Sequence, residues 1–263
     1  MFAALAYHRV VETPLSVFDV AWEQFQAHLD LLQAEGFVAE SIGGLVRRLD
    51  AGGSLPGRYV LLTFDDGNDS DVRVGRELSR RGFSGSFAVV PGRVGEARHL
   101  DREGVDYLAR EHHLASHTAS HLELPRMKSE DLTEELVGSR ETITRWTHRP
   151  CDVLALPGGA GGGRGVRLGR RHGYRWVATS RPAFNHPALV QRTGRIDRVC
   201  VHRFDGLDRV FDFIHCEPRA VARELARYSL LSATRTLLPH GVFTQVRSVF
   251  GRAARGRVEP ESG

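Results

Sequence analysis

Short apolar runs alternate with longer amphipathic segments along the first 190 residues, and this alternation limits the possible folds more than any other feature. Residues 59–64 form an apolar run of the kind buried on both faces of a parallel sheet. Residues 21–34 instead carry apolar side chains at helical spacing, and Gly36 ends that segment. The pattern predicts further strands at residues 2–7, 86–90, 114–116, 153–156 and 176–179. It predicts further helices at residues 42–49, 72–80, 101–110, 129–146, 166–172 and 217–231.

Six or seven such units without repeats or linkers predict a wound parallel sheet or a (β/α) barrel. A chain of 263 residues fits one domain of either type. In both architectures the functional loops follow the carboxyl ends of the strands. The pattern weakens after residue 191, so we expect the domain to cover residues 1–235. A basic tail, partly disordered, is expected over residues 236–263.

Composition and cysteine spacing exclude several classes of protein. The charge is mild, 36 Lys and Arg against 32 Asp and Glu, or +4. Neither zinc-finger spacing nor paired aromatic strands accompany the arginine-rich end, so we expect no nucleic-acid partner. Three widely spaced cysteines favour reduced thiols over a disulfide framework. No stretch approaches the ~20 apolar residues of a membrane span. If the recorded start is right, no secretory leader precedes the domain, and we expect a cytoplasmic location. The oligomeric state is not indicated.

Two carboxylates follow the apolar run at residues 59–64. Residues 63–67 read Thr-Phe-Asp-Asp-Gly, so Asp65 and Asp66 stand side by side where a buried strand ends. Adjacent carboxylates in a partly desolvated place repel one another unless a cation offsets them. A metal would supply that charge, although an aspartate-rich turn or helix cap remains an alternative.

Two histidines follow another predicted strand. His117 and His121 are four residues apart and can face one metal from a single turn, although the chain has 13 histidines and the spacing also arises by chance. Together the motifs supply two imidazoles and one carboxylate, which leaves a coordination position open for water. That ligand number is typical of a catalytic site. The metal would lower the pKa of this water, and the second carboxylate could take its proton.

These motifs resemble those of the polysaccharide deacetylase family, also called the NodB-homology domain or carbohydrate esterase family four. The resemblance covers roughly residues 1–190 and implies a distorted (β/α) barrel of the NodB-homology type as a single domain. It implies that Asp65 is the catalytic base. Asp66, His117 and His121 are then the ligands of one divalent metal, for which zinc is our expectation.

The opening Tyr-His-Arg-Val at residues 7–10 looks like the branch that acts on poly-N-acetylglucosamine and related exopolysaccharides. In that branch an N-terminal histidine is the candidate general acid, and its counterpart here is His8; a buried structural histidine is the alternative. The family's late Leu-x-His motif has no clean match. His202 and His215 are possible remnants, each with a structural role as the alternative.

One family motif departs from the expected pattern. Where many members have Arg-x-Pro-aromatic-Gly, this chain has Ala155 at the arginine position and Gly158 at the aromatic position. A related subgroup also lacks this arginine, so the change does not by itself imply inactivity. It does put the contact that orients the base in doubt. Pro157 and Gly158 are candidate substrate-binding residues, as is Trp176, which could equally be a core residue.

The leading hypothesis is therefore a metal-dependent hydrolase that removes the N-acetyl group from an amino sugar or polysaccharide and releases acetate. A second reading keeps this chemistry but places it on a small cytoplasmic conjugate, such as a nucleotide sugar, a glycolipid or a natural-product intermediate. A third is a sugar-binding homologue that lost activity with its arginine.

Overall fold

Parallel strands form the centre of the molecule, as the sequence pattern predicts. The description is of a computed structural model and covers residues 1–122, 129–159 and 162–237. The strands in these ranges are β1 (Ala3–Tyr7), β2 (Arg9–Val11), β3 (Asp19–Ala21), β4 (Val38–Glu40), β5 (Tyr59–Phe64), β6 (Ser86–Val89), β7 (His113–Ser116), β8 (Val153–Ala155), β9 (Trp176–Ala178), β10 (Arg195–Ile196) and β11 (Val199–Cys200).

Helices follow most of these strands. They are α1 (Trp22–Ala34), α2 (Ile42–Asp50), α3 (Asp71–Arg80), α4 (Arg102–Glu111), α5 (Ser129–Thr133), α6 (Ser139–Thr147), α7 (Gly162–Arg171), α8 (Pro187–Thr193), α9 (Leu207–Ile214) and α10 (Pro218–Leu237). Two starts have clear side-chain caps: Ser41 accepts from the N–H of Gly44, and Asp101 from that of Gly104. Among the described helices, none is long and apolar enough to cross a membrane.

Nine of the described strands form one sheet in the order β10-β9-β8-β7-β6-β5-β1-β11, with β4 paired to β5. All of its pairs are parallel. The two ends of this order, β10 and β11, are separated in sequence by only Asp197 and Arg198. Since the three Cα–Cα steps from Ile196 to Val199 span at most about 11 Å, the sheet must curl until its ends nearly meet. The expected barrel-like fold is therefore confirmed.

Alternating residues of the strands face two separate apolar clusters. Leu5, Leu62 and Phe87 pack on one face with the surrounding helices. Ala4, Leu61 and Ala88 pack on the other face with helix α2. Because both faces are covered, the strands read as continuous apolar runs. Polar side chains are then expected where the strands end.

The structure departs from the predicted elements in several places: it adds β2, β3, β4 and α8, and two further differences lie near the site. The helix predicted at residues 129–146 is interrupted by a π-helical segment, Glu134–Gly138, which a 3.6-residue periodicity does not reveal. After residue 191 the chain forms β10, β11 and α9, although the pattern predicted little there. A strand of two residues is too short to show a period. The predicted tail lies outside the described residues except for residues 236 and 237, and the predicted domain boundary stays a prediction.

Candidate active site

The predicted site residues meet at the carboxyl edge of the sheet. His8 follows β1, Asp65 and Asp66 follow β5, and His117 follows β7. Strands β1, β5, β6 and β7 are consecutive neighbours in the sheet, so these loops are adjacent. The backbone φ of Asp66 is 80° and that of His121 is 65°, both in the left-handed region. Such conformations are costly for residues other than glycine and are typical of functional sites.

Asp66, His117 and His121 converge as a potential metal site. The Oδ1 atom of Asp66 lies 3.4 Å from Nε2 of His117 and 3.1 Å from Nε2 of His121. One ligand atom from each residue lies within 4.8 Å of the others. The buried Oδ1 makes no hydrogen bond of good geometry, which leaves it available to a cation. These three residues could hold one metal ion, and two imidazoles with one carboxylate suit zinc among others.

Hydrogen bonding fixes the tautomer of His117. Its Nδ1 donates to the carbonyl oxygen of Ala155 at 2.9 Å, so the lone pair of the neutral ring is on Nε2, the atom that faces Asp66. Ala155 is the residue that stands at the family's arginine position, and the structure uses its backbone there. Burial opposes protonation of His117, but the Asp65 and Asp66 carboxylates outweigh it and raise its pKa.

Arg198 supplies the contact that the missing arginine left in doubt. Its Nη1 and Nη2 atoms donate to the two carboxylate oxygens of Asp65 at 2.7 and 2.8 Å. Both side chains are buried, 0% and 3% exposed. Burial alone would raise the pKa of Asp65, but the Arg198 guanidinium holds that pKa below its ordinary value. Asp65 is therefore an oriented carboxylate rather than a neutral acid.

Sequence reasoning missed Arg198 because it lies between the two shortest strands, β10 and β11. Its Nε donates to the carbonyl of Thr179 and its Nη1 to the hydroxyl of Thr63. The preceding Asp197 exchanges two backbone hydrogen bonds with the side-chain amide of Asn185, at 2.8 and 2.9 Å. These bonds hold the β10–β11 connection in place. The sequence signal was slight, because Arg198 closely follows two other charged residues, Arg195 and Asp197, and does not stand out.

His8 lies beside the carboxylates, as expected. The charges of Asp65 and Asp66 act on it and favour its protonated form, but burial has the larger effect and lowers its pKa. Its Nδ1 is buried without a hydrogen bond. The ring of Phe18 lies between His8 and His202, with centroid distances of 4.8 and 5.5 Å.

The two late histidines differ in position. His202 Nδ1 donates to Asp205 at 3.3 Å and, through Phe18, borders the site. His215 instead pairs with Glu35 and stacks on Phe211. It also contacts Phe37, which precedes β4 and so lies at the opposite end of the strands. Of the two, only His202 is near the predicted active site.

The predicted substrate-binding residues also separate. Trp176 is 1% exposed and belongs to the apolar cluster that includes helix α2. It starts β9, so it lies at the amino end of that strand, away from Asp65. The prediction that Trp176 binds substrate is therefore corrected in favour of the core alternative. Pro157 and Gly158 lie just beyond β8 at the carboxyl edge, where a sugar would bind, and their role stays a prediction.

Known proteins with this sequence pattern and fold are deacetylases. The model of the polysaccharide deacetylase family matches residues 52–177. The putative polysaccharide deacetylase YxkH of Bacillus subtilis is 23% identical over 163 residues, which cover 61% of this chain and 58% of that relative. The resemblance inferred from the motifs is therefore confirmed.

Solved structures agree with that family. IcaB from Ammonifex degensii is 25% identical with a TM-score of 0.69, over 81% of this chain and 96% of that chain. The Streptococcus pyogenes deacetylase PplD, solved in complex with acetate, is 18% identical with a TM-score of 0.72, over 81% and 97%. A polysaccharide deacetylase from Bacillus cereus is 20% identical with a TM-score of 0.70, over 81% and 68%. The fold is thus that of these enzymes.

Proposed function

We propose that this chain, whose residues 52–177 match the model of the polysaccharide deacetylase family, is a metal-dependent hydrolase that removes the acetyl group from an N-acetylated amino sugar and releases acetate. One observation carries the proposal: a fully buried arginine orients Asp65 beside a group of three potential metal ligands. A carboxylate positioned next to a metal site is the arrangement used in metal-assisted hydrolysis of an amide.

The metal would be held by Asp66, His117 and His121, and we propose zinc. A divalent ion there lowers the pKa of water and polarises the acetamide carbonyl. The chain's own contribution is orientation: the Ala155 carbonyl directs the Nε2 lone pair of His117 toward the site. The unpaired Oδ1 of Asp66 supplies the negative charge that a cation needs.

Asp65 would accept the proton of the attacking water. A carboxylate has about four lone-pair positions on its two oxygens, so the two bonds from Arg198 leave acceptor capacity for water. The lowered pKa keeps Asp65 ionised, although it also makes the carboxylate a weaker base. That weaker base is sufficient where a cation makes the water more acidic.

His8 would protonate the amine as it leaves, because an unprotonated amide nitrogen is a poor leaving group. Burial lowers its pKa, so the protonated ring is less populated but gives up its proton more readily. Asp65 and Asp66 offset part of that effect. His202, which Asp205 orients, is the alternative donor.

Two alternatives to deacetylation of a polysaccharide remain as secondary proposals. The same chemistry on a small sugar conjugate is favoured by the predicted cytoplasmic location, which itself stays a prediction. A sugar-binding homologue without activity was suggested by the missing arginine. The Arg198–Asp65 pair removes that reason, because another arginine holds the base.

Acetate release from a panel of N-acetylated mono- and oligosaccharides tests the proposal. The purified protein is assayed as prepared, after removal of metal by a chelator, and after reloading with Zn²⁺. We expect acetate release that disappears with chelation and returns with metal. A protein that carries metal but releases no acetate from any of these sugars, or from nucleotide sugars added to the panel, would favour the binding homologue.

A further inference from the structure

The loop between the two predicted metal histidines has an unusual backbone. His117 and His121 stand at its ends, and only three residues separate them. Both Thr118 and His121 have a φ of 65°, in the left-handed region that disfavours side chains. The His121 side chain is also 29% exposed, whereas that of His117 is 2% exposed. The loop therefore needs support from outside to keep the two rings on one side.

Glu135 provides that support through three hydrogen bonds. Its Oε2 accepts from the backbone N–H of Ser120 at 2.9 Å, and its Oε1 accepts from the Ser120 hydroxyl at 2.5 Å. Its backbone carbonyl accepts from the N–H of Ala119 at 3.1 Å. Glu135 is 7% exposed, so its carboxylate is largely shielded from water although Ser120 lies at the surface. All of them reach residues between the two histidines.

The helix that carries Glu135 is adapted to this contact. Glu135 lies in the π-helical segment Glu134–Gly138, and such interruptions of an α-helix are frequent at functional sites. The Ser139 hydroxyl donates to the Glu135 carbonyl at 2.7 Å and contacts the hydroxyls of Ser116 and Tyr174. Since Ser116 is the last residue of β7, the helix is fastened to the strand that presents His117.

The opposite side of the loop is also held. The N–H of Gly92 donates to the carbonyl of Ala119 at 2.9 Å, and a Cβ at Gly92 would lie 2.7 Å from that oxygen. Ala119 is thus bonded through its N–H to Glu135 and through its carbonyl to Gly92. The loop has little room to shift without breaking one of these contacts.

We propose that Glu135 is a positioning residue of the metal centre, which sets the separation of His117 and His121 by holding Ser120 and Ala119. The inference rests on the proposed function, because it concerns the metal that these histidines bind. Glu135 touches neither metal nor substrate in this account. Its effect passes through the backbone of the loop.

Glu135→Gln tests the proposal, with the Zn²⁺ dissociation constant measured by competition against a chromophoric chelator. The amide oxygen can still accept from the Ser120 backbone N–H, and the N–H₂ group can donate only if the Ser120 hydroxyl turns round to accept, so two charge-assisted bonds become weaker neutral ones. We expect affinity for Zn²⁺ to fall about 10- to 100-fold, the usual effect of losing a group that orients a metal ligand. Glu134→Gln is the matched control, because it removes the same charge from the neighbouring, exposed position and should leave the affinity unchanged.

Ser120→Ala approaches the same contact from the other side. It removes the hydroxyl bond but leaves the backbone N–H bond, so we expect a smaller loss of affinity than in Glu135→Gln. The double variant should bind Zn²⁺ about as weakly as Glu135→Gln alone, since the Ser120 hydroxyl acts only through Glu135. Losses that add in full would contradict a shared contact.

Thermal unfolding of the metal-free variants separates positioning from general stability. A merely structural Glu135 would lower the unfolding midpoint and leave the Zn²⁺ affinity of the folded protein at the wild-type value, which would overturn the proposal. If Glu135→Gln does not fold, Ser120→Ala decides, and wild-type affinity in that variant would overturn it equally. A wild-type protein that binds no Zn²⁺ would instead refute the metal site itself.

Discussion

The proposed base and the proposed metal ligands are held by different means, although they lie in adjacent loops. Asp65 accepts two charge-assisted hydrogen bonds from Arg198, which is 133 residues away in the chain, and both side chains are buried. The histidine loop is held by Glu135, only 15 residues away, through backbone and hydroxyl groups near the surface.

Because of this difference, we expect substitutions in the two regions to have different consequences. Removing one partner of a buried ion pair leaves a charge without compensation, which damages the fold as well as the chemistry. Loosening the histidine loop leaves the buried Arg198–Asp65 ion pair intact, so the cost falls on metal affinity. Substitutions at the Arg198–Asp65 pair should therefore lower the free energy of unfolding. Substitutions that loosen the histidine loop should lower the affinity for metal.

The largest expected effect is at Arg198. Arg198→Met should lower the free energy of unfolding by about 3–5 kcal/mol, because it leaves the buried Asp65 carboxylate without its ion-pair partner. It should also raise the pKa of Asp65, since burial is then opposed only by the weaker effects of His117 and His8. Denaturant unfolding measures the first effect. The double variant with Asp65→Asn has no buried charge and should recover part of the stability; no recovery would mean that the ion pair is not what Arg198 contributes.

Asp65→Asn alone tests the chemical role of the base. It should keep the metal but lose about 10²-fold or more in turnover, the scale of general-base removal. Acetate release and metal content are measured on the same preparation. Some loss of stability is expected as well, because Arg198 then lacks its carboxylate. Turnover near the wild-type rate would assign proton transfer to another residue.

His8→Ala should lower turnover on acetamide substrates by about 10²-fold, within the range for a positioned acid. An activated ester should suffer much less, since its leaving group needs little protonation. The ratio of the two rates is the measurement, and His215→Ala is a control far from the site. An equal loss of turnover on both substrates would show that the role of His8 is structural, and His202 would then be the candidate general acid.

Trp176→Phe should have the smallest effect. The ring packs in the apolar cluster that includes helix α2. Its Nε1 has no hydrogen-bond partner, so the change to phenylalanine removes no hydrogen bond. We expect an unchanged KM for the sugar substrate and a loss of stability under about 1.5 kcal/mol. A raised KM would show that the side chain reaches substrate and would restore the original prediction.

The convergence of the proposed ligands and base could be predicted from sequence because each motif directly follows an apolar run at the end of a predicted strand. The strand signals at residues 59–64 and 114–116 placed Asp65, Asp66 and His117 at one edge, and the structure brings them together. The residues that hold them could not be predicted. Arg198 lies between strands of two residues, and Glu135 depends on a π-helical segment, neither of which has a readable period.

Burial explains the one clear misplacement. Trp176 starts the strand predicted at residues 176–179 just as it starts β9, so the sequence already placed it at the amino end, opposite the edge that carries the site. Its candidate role rested on the family resemblance, and only the structure shows that the ring is buried. His202 and His215 likewise looked equivalent until the structure separated them.

Titration of the metal-free protein with Zn²⁺, with acetate release and bound metal followed together, tests the central claim most directly. The account predicts that activity rises in proportion to bound metal and reaches its limit at one ion per chain. In His117→Ala neither bound metal nor activity should appear over the same range. Full turnover in the metal-free protein, or equal metal occupancy in His117→Ala, would contradict it.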